Sequence, residues 1–327
     1  MLEIFEKLSE IVSVSGRERK LAERVAELVE PYADEVRIDT LGNVIAFKKG
    51  LSEAPKKLMI TAHTDEVGFT TTYIEENGRV RVSPVGCIDV PAAAFSQVVF
   101  SGGAVGLLIP DGKVEGGSYY IDLGACSKEQ AEKLVSPGET ASVRSSLFKM
   151  ENGYISGRPF DDKLCCAVLI EAMKRLKDVP NDLYFVFTTQ EEIGSRGAAV
   201  AVNAIEPDIG IAVDGTFACD SYGPKAHDIK LGGGAAIKIR DNSLICSEKI
   251  VEKMIELAKK HEVKYQLELL EGGGCDAGVM QSTGKGTLAG SISVPMRHMH
   301  TPREMANISD LDECMKLLIL LCEDKTL

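Results

Sequence analysis

The stretch Leu183-Tyr184-Phe185-Val186-Phe187-Thr188-Thr189-Gln190-Glu191-Glu192-Ile193-Gly194 sets an apolar run against two adjacent carboxylates. Five consecutive apolar residues read as a strand buried on both faces, the form that a central parallel strand takes in an α/β sheet. Open α/β sheets bind ligands beyond the carboxyl ends of such strands, where Glu191 and Glu192 fall. Neighbouring residues of an extended segment point to opposite sides. The pair can therefore share one site in different jobs, one holding a metal and the other acting as a base. Alone, a Glu-Glu pair is more often a solvated acidic turn, so the rest of the chain decides.

Upstream, the apolar run Leu58-Met59-Ile60-Thr61-Ala62 leads directly into His63-Thr64-Asp65-Glu66. His63 and Asp65 are two apart and face the same way if the strand persists. Downstream, Ile209-Gly210-Ile211-Ala212-Val213 ends at Asp214, and Ser291-Ile292-Ser293-Val294 leads to Arg297-His298-Met299-His300-Thr301-Pro302. Gly157-Arg158-Pro159-Phe160-Asp161-Asp162-Lys163 precedes an apolar helix carrying Leu164, Ala167, Val168, Ile170 and Met173. Carboxylates at a helix start ordinarily cap it and complement its dipole. If the strands are parallel, however, His63, Glu191, Glu192, Asp214 and His300 meet at one sheet edge with Asp161 beside them. Mixed nitrogen and oxygen ligands suit zinc, cobalt or manganese, and carboxylates bridge paired ions about 3.5–4 Å apart. A dinuclear hydrolytic site is the reading that uses all of these residues. Spacing does not choose between His298 and His300. Of the other histidines, His261 sits at a helix end and His227 in a polar loop.

Around these strands the pattern predicts helices over residues 1–13, 17–30, 196–204 and 248–261, and a closing helix capped by Ser309. Ser15 with Glu18 three residues later reads as a capping box for the second helix. Strands are expected at 36–39, 43–48, 235–239 and 263–269. Gly232-Gly233-Gly234 precedes a strand, so it lacks the helix that a phosphate cradle needs. From Phe69 to Ser156 the texture changes to short apolar pieces separated by Asn77-Gly78, Gly102-Gly103 and Asp111-Gly112, with one helix start at Ser127 and Gln130. Regular short strands predict a small β-rich insertion, in which Asp89, Asp111 and Asp122 read as turn or solvent residues. The fold class is α/β, a mixed, largely parallel sheet flanked by helices. Residues 1–68 and 157–327 form its catalytic unit and 69–156 the inserted β-rich one.

With 37 Lys and Arg against 49 Asp and Glu, the net charge is −12, which argues against nucleic acid or an anionic membrane as partner. The nine cysteines are odd in number and never spaced C-x-x-C, so reduced thiols and a cytoplasmic location are expected. No run of about 18 apolar residues suggests a membrane span.

Together, Thr61-Ala62-His63-Thr64-Asp65-Glu66-Val67-Gly68, Phe160-Asp161-Asp162-Lys163, Gln190-Glu191-Glu192-Ile193-Gly194-Ser195-Arg196-Gly197-Ala198, Val213-Asp214 and Met299-His300-Thr301-Pro302 resemble the tetrahedral aminopeptidases, in the right order over nearly the whole chain. That family includes glutamyl, leucyl and lysyl aminopeptidases and some members labelled endoglucanases. The resemblance implies a zinc-exopeptidase-like fold and two divalent ions per subunit, zinc or cobalt ahead of manganese. It places one ion on His63 and Asp214, the other on Glu192 and His300, with Asp161 bridging. Glu191 is then the general base, Asp65 orients His63 through its second ring nitrogen, and a cis peptide joins Asp161 to Asp162. It also implies peptide substrates, dimerisation through the insertion, and six such dimers building a tetrahedral dodecamer.

Departures from the family pattern are Lys163 in place of Arg, His298 where Tyr is common, Cys275 before Asp276, and Cys165-Cys166 behind Asp161. None is an implied ligand. A carboxypeptidase or deacylase would use the same site. An endoglucanase fits less well because glycosidases flank a sugar with two separately supported carboxyls, and a non-catalytic scaffold would be expected to have lost ligands or base.

Overall fold

The computed structural model describes residues 1–221 and 227–327. Its centre is an eight-stranded sheet in the order Glu35–Ile38, Val44–Lys48, Asp182–Thr188, Lys57–His63, Ile209–Phe217, Leu288–Met296, Ala235–Arg240, Tyr265–Leu269. The strands from Asp182–Thr188 to Leu288–Met296 in this order run parallel to one another. Val44–Lys48 and Ala235–Arg240 flank them antiparallel. The central strands are mostly apolar because both faces are covered. Phe185 and Phe187 enter a core shared with the helices Leu2–Ser9, Arg19–Val29, Lys163–Arg175, Glu248–Lys260 and Ile308–Glu323. Val186 points the other way, into a smaller core under Arg196–Ile205 and Asp276–Ser282. Alternation of neighbouring side chains across the pleat produces both cores from one run.

Strands Gly68–Ile74, Val80–Val85, Ser118–Asp122, Val105–Asp111, Gln97–Phe100 and Thr140–Val143 close a barrel in that order. Phe69, Val80, Val98, Phe100, Leu108 and Ile121 fill it. The chain then pairs Ser145–Lys149 with Tyr154–Arg158, which also pairs with Glu304–Asn307. That small sheet delivers the backbone to the start of the Lys163 helix. Within the barrel stretch Asp89 caps a short helix through Ala92 N–H at 2.9 Å, Asp122 accepts from Gly124 N–H at 2.8 Å, and Asp111 pairs with Arg81 at 2.6 Å.

Three local expectations change, and one helix appears that the sequence pattern did not predict. The first helix ends at Ser9, short of residue 13. The closing helix is capped by Asn307, whose side chain accepts the Ser309 N–H at 2.9 Å. Asp276–Ser282 is helical within a glycine-rich stretch too short to show a period. No capping box forms at Ser15 and Glu18, since the helix from Arg19 has no side-chain cap bond. Both side chains are drawn instead toward residues 65 and 190. The Gly232 and Gly234 N–H groups donate to Asp310 at 2.6 and 2.7 Å, so a carboxylate of the chain itself occupies that loop.

Candidate metal centre

Register brings the strand ends level. Thr188 pairs with His63, and Ala212 pairs with Thr61, so two residues further Asp214 stands beside His63. Asp214 lies within a strand that continues to Phe217, because Leu288–Met296 remains its partner after Lys57–His63 has ended. Asp161 and Asp162 are joined by a cis peptide; Asp162 takes the N-cap position of the helix that follows, but its side chain makes no capping hydrogen bond. Past Met296 the chain turns through His298 and His300, both with positive φ (59° and 63°). Neither is extended, and the ambiguity left by their spacing disappears: His298 is exposed, and His300 points at Asp161.

His63 Nδ1 donates to the Asp65 carbonyl at 3.0 Å, with the Asp65 carboxylate at 3.4 Å, and its Nε2 lies 3.2 Å from Asp161 Oδ1 and 3.8 Å from Asp214 Oδ1. His300 Nδ1 donates to the Cys87 carbonyl at 3.1 Å, and its Nε2 lies 3.1 Å from Asp161 Oδ2 and 3.3 Å from Glu192 Oε1. Two groups result, His63, Asp161, Asp162 and Asp214 on one side and Asp161, Glu192 and His300 on the other, each with ligand atoms within 4.8 Å of one another. Asp161 belongs to both, one oxygen toward each imidazole. Glu191 lies outside both groups but lines the same pocket, of about 650 Å³, with Ser195 Oγ donating to its Oε1 at 3.0 Å. The Asp65 carboxylate accepts the Glu191 and Glu192 N–H groups at 2.9 and 3.2 Å.

Electrostatics show what this crowding asks for. Burial would lower the His63 imidazole, yet hydrogen bonds with Asp161 and Asp65 hold it well above its ordinary value. Burial likewise opposes His300, which Asp161 and Glu192 push up to about 11. Burial and the neighbouring Asp161 push Asp214 up to about 7, although His63 opposes them. Burial also raises Asp162 and Glu191 well above the carboxylate range. Asp161 goes the other way: burial is outweighed by its two imidazole partners. With each Nδ1–H committed to a carbonyl, each Nε2 turns a lone pair toward carboxylates unless a cation lies between. The donor set fits divalent ions: neutral imidazoles oriented through their second nitrogen, carboxylates, and a buried Glu192 Oε1 with no hydrogen bond of its own.

Several site residues carry no sequence signal. Glu304 is 1% exposed and binds the Asp161 N–H at 3.3 Å and the His300 N–H at 3.1 Å, with Arg158 as counter-charge at 3.4 Å. Asp276 accepts Thr188 Oγ–H at 2.6 Å under the sheet edge. Lys238, on the pocket wall, is neutralised by Asp241 and Glu268 at 2.8 and 3.0 Å. Asp162 was legible only as Asp161's neighbour; its Oδ2 accepts the His63 N–H at 3.0 Å.

Comparison with known proteins agrees with this geometry. The family model of M42 glutamyl aminopeptidase matches residues 42–317. The lysyl aminopeptidase of Pyrococcus furiosus is 35% identical, covering 98% of this chain and 96% of its own. The solved aminopeptidase APDkam598 of Desulfurococcus kamchatkensis superposes with a TM-score of 0.94 at 34% identity, covering 98% of this chain and 94% of that one. The TET1 peptidase of Pyrococcus horikoshii, described as assembling into a tetrahedron or a large octahedral shell, does so with 0.89 at 30% identity, covering 99% of each chain. The sheet, the site and these likenesses agree: the chain belongs to the M42 glutamyl aminopeptidase family, the tetrahedral aminopeptidases that its motifs resemble.

Proposed function

We propose that this chain is a dinuclear metallo-aminopeptidase that removes N-terminal residues from peptides. The observation that carries this is Asp161, shared between two imidazole-carboxylate groups while Glu191 stands free of both in the same pocket. His63, Asp161 and Asp214 would hold one ion, and Asp161, Glu192 and His300 the other. Zinc, cobalt or manganese suits this donor set. Ions bound there would supply Lewis-acid polarisation of the scissile carbonyl and lower the pKa of the attacking water.

Glu191 takes the proton of that water and returns it to the leaving amine. Burial and neighbouring carboxylates raise its pKa above the ordinary carboxylate value, although His63 opposes them, which makes it a stronger base than a solvated carboxylate. Ser195 fixes one of its oxygens. The Asp65 carbonyl keeps His63 Nε2 facing inward, and the Cys87 carbonyl does the same for His300. In this reading residues 1–68 and 157–327 are the catalytic unit. The 69–156 stretch is an insertion through which copies of the chain associate, up to a dodecamer. The assembly described for the Pyrococcus horikoshii relative supports that association, and nine free cysteines support a cytoplasmic setting.

The test is a panel of aminoacyl-nitroanilides and short peptides, run on chelator-stripped protein refilled with zinc, cobalt or manganese. Activity should vanish on stripping and return as two ions per chain are taken up. A fully active preparation without bound metal would overturn the proposal.

A further inference from the structure

Three successive backbone N–H groups carry the Glu191-Glu192 pair, and all three end on carboxylates. Gln190 N–H donates to Glu18 Oε1 at 3.1 Å, and Glu191 and Glu192 N–H donate to Asp65 Oδ1 and Oδ2 at 2.9 and 3.2 Å. Gln190 has φ 56°, a conformation that a non-glycine residue keeps only where its surroundings hold it. Glu18 is itself anchored: it is 4% exposed, and the same Oε1 accepts the Gly16 N–H at 2.7 Å. Ser15 Oγ donates to Asp65 Oδ2 at 2.6 Å. The loop before the Arg19 helix thus grips both carboxylates that receive the turn. The helix gains nothing from this, since neither side chain caps it.

The turn has two sides. Glu191 and Glu192 face the catalytic pocket, whereas Glu18 and Thr189 line a separate cleft of about 710 Å³ behind it. A carboxyl buried beside Asp65, and pushed up to about 7 by burial and by that neighbour, is a poor choice for packing alone. Gln190 gives it a purpose.

We propose that Glu18, held in place by the Gly16 N–H, is a positioning residue that holds Gln190 in its left-handed conformation and thereby aims the Glu191 carboxyl. The proposal rests on Glu191 being the base. It separates Glu18 from Asp65: Asp65 holds the N–H of the metal-binding Glu192, and Glu18 does not.

Glu18→Ala and Glu18→Gln test it, because both bonds land on Oε1, which glutamine retains. In Glu18→Ala, kcat should fall about 10- to 100-fold, the scale of a displaced catalytic group, with KM and metal content unchanged. In the metal-free protein the Gln190 amide should exchange hydrogen faster than in wild type. Glu18→Gln should restore both. Native kcat and native exchange in Glu18→Ala overturn the proposal, as does a fall in kcat that tracks metal loss or that glutamine fails to rescue. If the wild-type protein proves inactive on every substrate, the base reading fails, and exchange at Gln190 alone decides whether Glu18 holds the turn. Should Glu18→Ala not fold, Glu18→Asp, whose carboxylate is one methylene too short to reach the turn, carries the test. Faster exchange at Gln190 with lower kcat and full metal content supports the proposal, and native values for both overturn it.

Discussion

At the scale of single residues, Glu191 and Glu192 are neighbours in sequence with separate environments. Glu192 Oε1 sits 3.3 Å from His300 Nε2 and belongs to a candidate metal-binding group, whereas Glu191 belongs to none and is steadied by Ser195. Glu191→Gln keeps size and the hydrogen bond but cannot take a proton, so kcat should fall by roughly 10²–10⁴-fold, the scale of a general base. Its metal content should stay at the wild-type level. Glu192→Gln replaces an anionic ligand by a neutral one, so metal analysis should show one ion lost per chain and excess metal should recover part of the activity. Near-native turnover in the first variant and two retained ions in the second would reverse the assignment. Most residues of this site that were legible in the sequence follow apolar strands, because a strand end has one direction and one destination; Asp161 was legible instead as a carboxylate opening an apolar helix. Glu304, Asp276 and Asp162 were not, since nothing periodic leads into them and their work is done on backbone N–H groups or on a threonine from distant strands. Glu18 was visible but read as a cap, the commoner use of that spacing.

Among the elements, one buried carboxylate joins three of them. Glu66 accepts from Ser13 N–H at 3.0 Å, from Ser142 Oγ at 2.6 Å, from Arg144 at 2.7 and 2.9 Å, and from Lys163 at 3.1 Å. It ties the loop after the first helix, the last barrel strand and the start of the helix behind Asp161. Lys163, a departure from the family pattern, has no exposed side chain and also donates to the Ile11 carbonyl at 2.7 Å. Burial would raise the Glu66 carboxyl, but Arg144 and Lys163 hold it well below the ordinary value of 4.5. Glu66→Gln leaves two cations without their counter-charge, one of them fully buried, and should cost about 3–5 kcal/mol. The pH dependence follows from the depressed folded value. The stabilisation is fully present above about 4.5, the unfolded value, and is lost as pH falls through the lower folded one. Denaturant unfolding should therefore show a gap between variant and wild type that is present at pH 6 and shrinks below about 4.5. A gap that widened in acid would contradict the assignment. No sequence pattern announces this cluster, because its members come from segments that only the closed fold brings together.

For the whole molecule, the barrel poses a question that the catalytic half does not. Its strand Val105–Asp111 alternates exposed and buried residues, so Val105 and Leu107 face outward at 51% and 47% exposure while Gly106 and Leu108 face the barrel core. Phe95, 65% exposed, joins them, its N–H bonded to the Leu108 carbonyl at 2.7 Å. An outward aromatic with two aliphatics on the neighbouring strand is the composition of an interface core, and it lies on the stretch proposed above for self-association. The barrel also supplies the Cys87 carbonyl to His300 and the Asp89 N–H to the His300 carbonyl, so a change in its packing could reach the metal centre. These two roles predict different outcomes for different substitutions. Leu107→Asp places a charge on the outer face without touching the barrel core, so light scattering should show a smaller assembly while each chain keeps its metals and its activity on a short nitroanilide. Leu108→Ala removes buried volume from the barrel core instead, at a cost of about 2–5 kcal/mol, and should lower metal occupancy at the His300 group before it changes the assembly. An unchanged mass for Leu107→Asp, at concentrations where the wild type is fully assembled, would remove this face from the interface and leave the barrel only its contact with His300.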